Sequence, residues 1–445
     1  MRIYGIGGFD EVGKNMTAVE LKDDVFLFDC GLYLPPIVEL EEAERVYTEK
    51  RLRQIGAVPS DDILDSFGLR NKVRAILPSH AHLDHIGAIP YLAQRYNADV
   101  IGTPFTIEVL KTLISDEKIN LRNKLRVVQP NSFCFVQGKT KKYKVEFINI
   151  THSTLQTSMI ALHTDEGIVL YANDFKFDNN PILGKAPNYE RLKEIGKEGV
   201  KAMIVDSLYS GDERKTASEK VARSLLEDVL LTTTNEGAGL FVTTFSSHIA
   251  RLKSIVEFGK QLNRKIVFLG RSLNKYVAAA ARIDMCPFIK DIELVSYKNQ
   301  VARKLKHINK NRKEYMIVCT GHQGEPGSIL DRLSKNKLPF QFQNNDHVVF
   351  SSSVIPTKIN IENRERLDDR LKKRGIRLFN NIHTSGHAGR EDLRDFINMI
   401  NPRHIIPAHG DHQKIAPMVE LAEELGYKNK KNVHLIHDKQ RLDFN

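Results

Sequence analysis

The first half of the chain alternates short apolar runs with glycine-rich or polar breaks, a pattern that predicts strands separated by turns. Ile3–Ile6, Met16–Leu21, Val25–Phe28, Val73–Leu77, Val127–Val128, Val145–Ile150, Ser158–His163, Ile168–Tyr171 and Met203–Val205 read as strands. Helical spacing interrupts them at Glu39–Gln54, Ala88–Tyr96 and Thr106–Ser115, the first of these charged like a peripheral insertion. From Thr216 the texture changes. Thr216 stands three residues before Glu219, which predicts a capped helix start. Helices Glu219–Leu231, Ile249–Leu262 and Ser272–Ile283 then alternate with strands Gly239–Thr244 and Ile266–Leu269, and strands Tyr315–Thr320 and Asp346–Ser351 follow. This rhythm predicts a parallel sheet covered by helices. After Arg377 the first texture returns. The simplest organisation is an α/β protein with one domain, 1–210 and 378–445, interrupted by a second, 211–377.

At 445 residues each domain is long enough to bury its own core. No apolar run approaches the length of a membrane span, and Met1–Gly5 does not begin a signal peptide, so a cytoplasmic protein without a membrane partner is expected. Cys30, Cys134, Cys286 and Cys319 are scattered, which favours free thiols in a reducing compartment over a disulfide framework. The 66 basic and 55 acidic residues leave a net charge of +11. That favours an anionic partner. The excess gathers at Lys139–Lys144, Lys304–Lys313, Arg370–Arg377 and Lys428–Lys431, each a solvated face or a phosphate track.

The densest chemistry is His80-Ala81-His82-Leu83-Asp84-His85. Four metal-capable side chains fall within six residues, directly after a buried strand that Pro78 and Ser79 break. Strand ends are where α/β proteins place their chemistry. Imidazole and carboxylate together suit zinc, manganese or iron. A helix would send His80 and His82 to different faces; a tight loop can fold the run around two ions. The same order of strand, polar residue and ligand recurs at His152, Asp174 and His409. By contrast, Gly8-Phe9-Asp10-Glu11-Val12-Gly13-Lys14-Asn15 only approaches a nucleotide-binding P-loop. Asn15 replaces the hydroxyl residue that would hold magnesium, and two acidic residues stand where phosphates would lie. A hairpin turn with glycines at positive φ is the expected structure.

The His80–His85 run is the HxHxDH signature of the metallo-β-lactamase superfamily. Asp29 in Phe28-Asp29-Cys30-Gly31, His152 and Asp174 match its other motifs in order. The insertion, followed by Ser385-Gly386-His387-Ala388 and Pro407-Ala408-His409-Gly410, resembles the β-CASP nucleases. Gly7–Met16, His383–His387 and Thr320–Pro326 look like the ribonuclease J group, and the chain length is similar to its archaeal branch. The resemblance implies a metallo-β-lactamase αββα sandwich with an inserted β-CASP domain. It implies two zinc ions, or manganese in their place: His80, His82 and His152 on one, Asp84, His85 and His409 on the other, with Asp174 bridging and Asp29 orienting a ligand histidine. Ser153–Gln156 lacks the proline expected after His152.

The same resemblance implies attack of an activated water on an RNA phosphodiester. Asp84, His85 and His387 are the expected catalytic residues, with His387 as phosphate stabiliser or proton donor. His383 and Ser385 are expected to bind a neighbouring phosphate. Ser246, Ser247 and Gln323 stand in polar strand ends suited to an anion nest, as does Ser351–Ser353. The leading expectation is a 5′→3′ exoribonuclease that prefers 5′-monophosphorylated single-stranded RNA, acting as a homodimer with RNA-decay partners. The alternatives are an endoribonuclease of the 3′-end-processing type and a small-substrate metallohydrolase.

Overall fold

The computed structural model describes residues 1–40 and 47–444; the centre of the expected helix Glu39–Gln54 lies outside the described residues. The chain divides into two compact units. The first comprises Met1–Asn179, Gly184–Thr216 and Gly386–Asn445.

Two sheets form the first unit. In spatial order, one contains Arg441–Asp443, Arg2–Gly7, Met16–Leu21, Asp24–Phe28, Val73–Leu77, Asp99–Gly102 and Leu125–Val127. The other contains His404–Ala408, Val200–Asp206, Gly167–Ala172, Ser158–Thr164, Lys142–Asn149 and Ser132–Gln137. Their facing sides share one core, in which Val19, Phe26, Phe28 and Leu77 of the first sheet meet Val145, Phe147, Leu162 and Tyr171 of the second. The outer face of the second sheet carries Ile148, Leu170, Met203 and Ile405. These pack against Leu192 and Ile195 of helix Tyr189–Glu198, Leu393 and Phe396 of helix Arg390–Ile400, and Met418 and Leu421 of helix Pro417–Glu424. Alternate residues of each strand therefore serve two apolar layers. That is why these strands read as continuous apolar runs rather than as half-polar ones.

Three strands escape the pattern: Asp99–Gly102, Ser132–Gln137 and Arg441–Asp443. The last two lie at sheet edges, where one side of the pleat stays wet and the apolar period fades. The expected hairpin is present. Arg2–Gly7 and Met16–Leu21 pair antiparallel, and Gly8 and Gly13 take φ of +89° and +127° in the turn between them.

The second unit comprises Asn180–Leu183 and Ala217–Ser385. Its sheet is parallel throughout, in the order Ile292–Val295, Lys265–Leu269, Tyr315–Cys319, Leu240–Thr243, His347–Phe350 and Arg377–Phe379. The divisions fall at 216/217 and 385/386 rather than at 210/211 and 377/378. The later return has a simple cause: Arg377–Phe379 adds to this sheet as an edge strand beside His347–Phe350. Thr216 is not the cap of the first helix. Ser218 is, its side chain accepting the Lys220 N–H, while the Thr216 hydroxyl donates to the carbonyl of His387 at 2.6 Å. Helices Lys298–Lys310 and Lys358–Lys372 were not anticipated. Both are strongly charged and bury only a narrow stripe, such as Val301, Leu305 and Ile308 of the former.

Candidate metal centre

Every residue of the expected ligand set lies in the first unit, at strand ends of its two sheets. Val73–Leu77 delivers the His80–His85 run. The run is not a plain loop: Leu83–Ile86 is a helical turn with His82 at its N-cap. Three further site residues leave their strands through a left-handed backbone, with φ of +57° at Asp29, +56° at Asp174 and +66° at His409. Asp and His tolerate this region better than most side chains, and such strain concentrates at functional sites. Here the sharp turn aims each side chain back across the end of the sheets.

Two ligand groups result. In the first, His82 Nδ1 is 3.1 Å from both His80 Nε2 and His152 Nε2, and Asp174 Oδ2 is 3.6 Å from the latter two. In the second, His85 Nε2 lies 3.6 Å from Asp84 Oδ2 and 3.2 Å from Asp174 Oδ2, and His409 Nδ1 lies 3.4 Å from Asp174 Oδ1. Tetrahedral ligands about 2.1 Å from a zinc ion are roughly 3.4 Å apart, so the observed spacings suit a small divalent cation in each group. Asp174 belongs to both groups, as a bridging carboxylate does. Its Oδ1 is buried without a hydrogen-bond partner, an arrangement that costs stability unless a cation or proton completes it.

A hydrogen-bonded shell aims the rings. Asp29 is fully buried and accepts from His85 Nδ1 at 2.7 Å, from the Tyr171 hydroxyl at 2.8 Å and from the Ser79 hydroxyl at 3.0 Å. Ser79 Oγ in turn faces His80 Nδ1 at 3.0 Å. His152 Nδ1 donates to the Gly386 carbonyl at 2.7 Å. A Cβ on Gly386 would meet the His152 ring at 2.9 Å, so only glycine brings the backbone this close. These bonds fix the tautomers so that His80, His85 and His152 present Nε2 to the centre.

Electrostatics divides the two groups. Burial pushes His80, His82 and His152 down, His82 to about 4, and neighbouring imidazoles add to the effect. These rings are neutral at pH 7, the form that binds metal. Burial acts on His85 in the same direction, but Asp174, Asp84 and Asp29 outweigh it and raise the ring well above its ordinary value. Burial also opposes the charge on Asp174, yet His409 and His85 hold its carboxyl well below the usual range. A cation among these groups would replace the proton that the carboxylates hold on His85.

His387 stands beside both groups. Its ring stacks on His409 at 5.3 Å and meets His152 edge-on at 5.1 Å. Nδ1 donates to Asp206 Oδ2 at 2.7 Å. Burial would lower this histidine, but Asp206 and Asp174 raise it to about 9. A cationic imidazole here can hold a phosphate oxygen or give up a proton.

Two contributors were not anticipated. Asp206 ends the strand Val200–Asp206 as Asp174 follows Gly167–Ala172, so the same strand-then-carboxylate rule would have found it. Asn15, noted only as the residue that spoils a P-loop, is fully buried. Its amide lies 3.1 Å from His85 Nε2 and 3.1 Å from His409 Nδ1.

The remaining expected substrate residues lie in the second unit. Gln323 is buried, its amide donating to the Ser353 carbonyl at 2.8 Å and accepting the Ile355 N–H at 2.9 Å. These bonds brace its loop against the one that carries Ser353 and Ile355. Ser247 is buried and Ser246 half-buried. His383 lies 3.5 Å from an Arg251 nitrogen, and Ser385 is half-buried. Phe245 packs against His322 at 4.3 Å and faces His383 at 6.3 Å. His322 Nε2, Ser352 Oγ and Thr384 Oγ1 are buried without hydrogen-bond partners. Several members of the basic runs engage acidic neighbours: Lys139 with Asp23, Lys141 with Asp165, Lys304 with Glu293, Arg312 with Asp346 and Arg370 with Asp331.

A two-sheet unit with paired His/Asp groups at its strand ends, interrupted by a parallel α/β unit, defines a metallo-β-lactamase-fold hydrolase with a β-CASP insertion. Three family descriptions match accordingly: Metallo-beta-lactamase superfamily over residues 10–228, Ribonuclease J, beta-CASP domain over 238–366, and Zn-dependent metallo-hydrolase RNA specificity domain over 374–435. The chain belongs to the ribonuclease J family. It is 41% identical to ribonuclease J of Methanocaldococcus jannaschii, covering 100% of this chain and 99% of that one, and 42% identical to ribonuclease J of Pyrococcus abyssi, covering 98% and 95%. It is 28% identical to ribonuclease J of Helicobacter pylori, of which it spans 60%. A crystal structure of a protein of unknown function from Enterococcus faecalis shares the fold at 16% identity, with a TM-score of 0.64 over 99% of both chains.

Proposed function

We propose that the protein is a metal-dependent ribonuclease that degrades single-stranded RNA from the 5′ end, prefers a 5′-monophosphate and releases mononucleotide 5′-monophosphates. Membership of the ribonuclease J family makes the chain a hydrolase of RNA. The observation that carries the metal-dependent reading is Asp174, shared by two candidate ligand groups and with a buried oxygen that takes no hydrogen bond.

The residues suit two zinc ions, with manganese as the substitute. His80, His82, His152 and Asp174 would hold one; Asp84, His85, His409 and Asp174 would hold the other. Bound there, the ions would lower the pKa of a water and offset charge on the phosphate. The protein's own groups do the rest. Asp29, Ser79 and the Gly386 carbonyl keep the ligand rings in register. His387, charged through Asp206, neutralises a phosphate oxygen and passes its proton to the leaving 3′ oxygen.

The direction of degradation is supported by the second unit. His322, Ser352 and Thr384 carry buried polar atoms without hydrogen-bond partners, and Phe245, next in the chain to Ser246 and Ser247, packs on His322 and faces His383; such a set suits a terminal phosphate. The decisive test supplies zinc or manganese to chelated protein and offers 5′-labelled RNAs ending in a monophosphate or a triphosphate, together with a circle. Labelled mononucleotide released first, from the monophosphate RNA, is the expected result. Ready cleavage of the circle without preference for a 5′-monophosphate would overturn the exonuclease reading in favour of an endonuclease.

A further inference from the structure

We infer that Asp10, His412 and His437 form a third divalent transition-metal site in the first unit, separate from the two groups that share Asp174. The three residues come from distant parts of the chain. Asp10 lies in the turn after the first strand, His412 three residues beyond His409, and His437 shortly before the last strand. Their ligand atoms gather within 4.8 Å of one another. One carboxylate oxygen serves both rings: Asp10 Oδ1 is 2.7 Å from His437 Nδ1 and 3.6 Å from His412 Nε2. The rings themselves stack, with centroids 3.9 Å apart and planes 11° from parallel.

A surface ion pair by itself contributes little to stability. An ion bound here would take the place of the hydrogen between His437 Nδ1 and Asp10 Oδ1. Two imidazoles and a carboxylate are a donor set for zinc, cobalt or nickel, whereas calcium and magnesium favour all-oxygen sets. The 3.6 Å separation already approaches that of neighbouring ligands on such an ion. The exposed His437 side chain can swing to open the shorter one.

The surroundings support the site. Asp10 Oδ2 accepts the Asp438 N–H at 3.0 Å, which leaves Oδ1 to the histidines. Glu11 and Asp438, beside Asp10 in the turn and next to His437, both pair with Lys14, which anchors the two segments that carry the site. His412 Nε2 also lies 3.2 Å from the Ile436 carbonyl, a bond that an ion at this nitrogen would replace. The location gives the ion a consequence. The turn that carries Asp10 also carries Gly8, whose carbonyl accepts the His409 N–H at 2.7 Å, and Asn15, which touches His409 and His85. An ion here would clamp that turn to the segment following His409.

The test is a metal count on the full chain. Chelated protein is dialysed against zinc and bound metal is measured by mass spectrometry. Cobalt loading, read by visible absorption, serves as a second measure. His412→Ala/His437→Ala is expected to bind one equivalent fewer than wild type, and Asp10→Asn likewise. Asp84→Ala/His85→Ala is expected to lose metal from the other centre yet keep this equivalent, and combining the sets is expected to remove both. Wild-type metal content in both Asp10→Asn and the double histidine variant would overturn the inference without touching the ribonuclease assignment.

Discussion

Both units bury charged side chains, and they treat them differently. In the second unit Arg251 is fully buried, and its guanidinium is enclosed by Glu219, by the Ser351 carbonyl and hydroxyl at 2.9 Å, and by the Ile382 carbonyl at 3.2 Å. Burial opposes charge on Glu219, but Arg251 and His248 hold its carboxyl well below the usual range. The network closes on itself and joins helix, sheet and the segment leading out of the unit. In the first unit the buried polar groups converge without closing. Imidazole nitrogens face each other at 3.1 Å, and an Asp174 oxygen has no hydrogen-bond donor. A satisfied buried charge is architecture, whereas buried imidazoles and carboxylates that converge without satisfying one another are a candidate binding site.

The comparison can be broken most forcefully at Asp174. Asp174→Ala removes a ligand from both groups, and ribonuclease kcat is expected to fall by about 10³-fold or more while the far-UV circular dichroism is unchanged; near-normal turnover would refute the shared centre. The opposite outcome is expected at Arg251. Arg251→Ala leaves Glu219 buried and uncompensated and should cost about 3–5 kcal/mol in denaturant unfolding, with bound metal unaltered. Asp29→Asn sharpens the contrast inside the first unit. It keeps the shape but weakens the bond that orients His85, and metal affinity measured by competition with a chelating dye should fall roughly 10–100-fold.

The smallest effect concerns a histidine pair with no carboxylate ligand. His404 and His434 lie 3.0 Å apart beside Phe444, and burial together with His404 lowers His434 to about 4. The unfolded chain, with an ordinary histidine value near 6.5, therefore binds more protons than the folded one between those limits. Stability from this group is complete above about pH 6.5 and is lost as pH falls towards 4. Melting temperatures across that window should drop less in His434→Gln than in wild type, and metal content should stay the same.

Much of this was readable in advance where the signal is local. Strands buried on both faces show as apolar runs, so the central strands of the first unit are found within one to three residues. The edge strand Ser132–Gln137 and the charged helix Lys358–Lys372 are not, because their buried stripes are too narrow to set a period. Among the site residues, those on a dense motif or following a strand are legible. Asn15 is not, because nothing beside it in the chain announces the rings it will meet.

The sequence by itself determined the chemistry available: which strand ends carry imidazole and carboxylate, and where a second αβ texture interrupts the first. Only the tertiary structure decided how those groups combine. It assigned one carboxylate to two ligand groups, charged His387 through Asp206, brought Asn15 to His409 across 394 positions of chain, and assembled Asp10, His412 and His437. The physical reason is that ligand separation and ring orientation follow from sheet packing and from left-handed turns at strand ends. Those are properties of how distant segments meet, which no local spacing records.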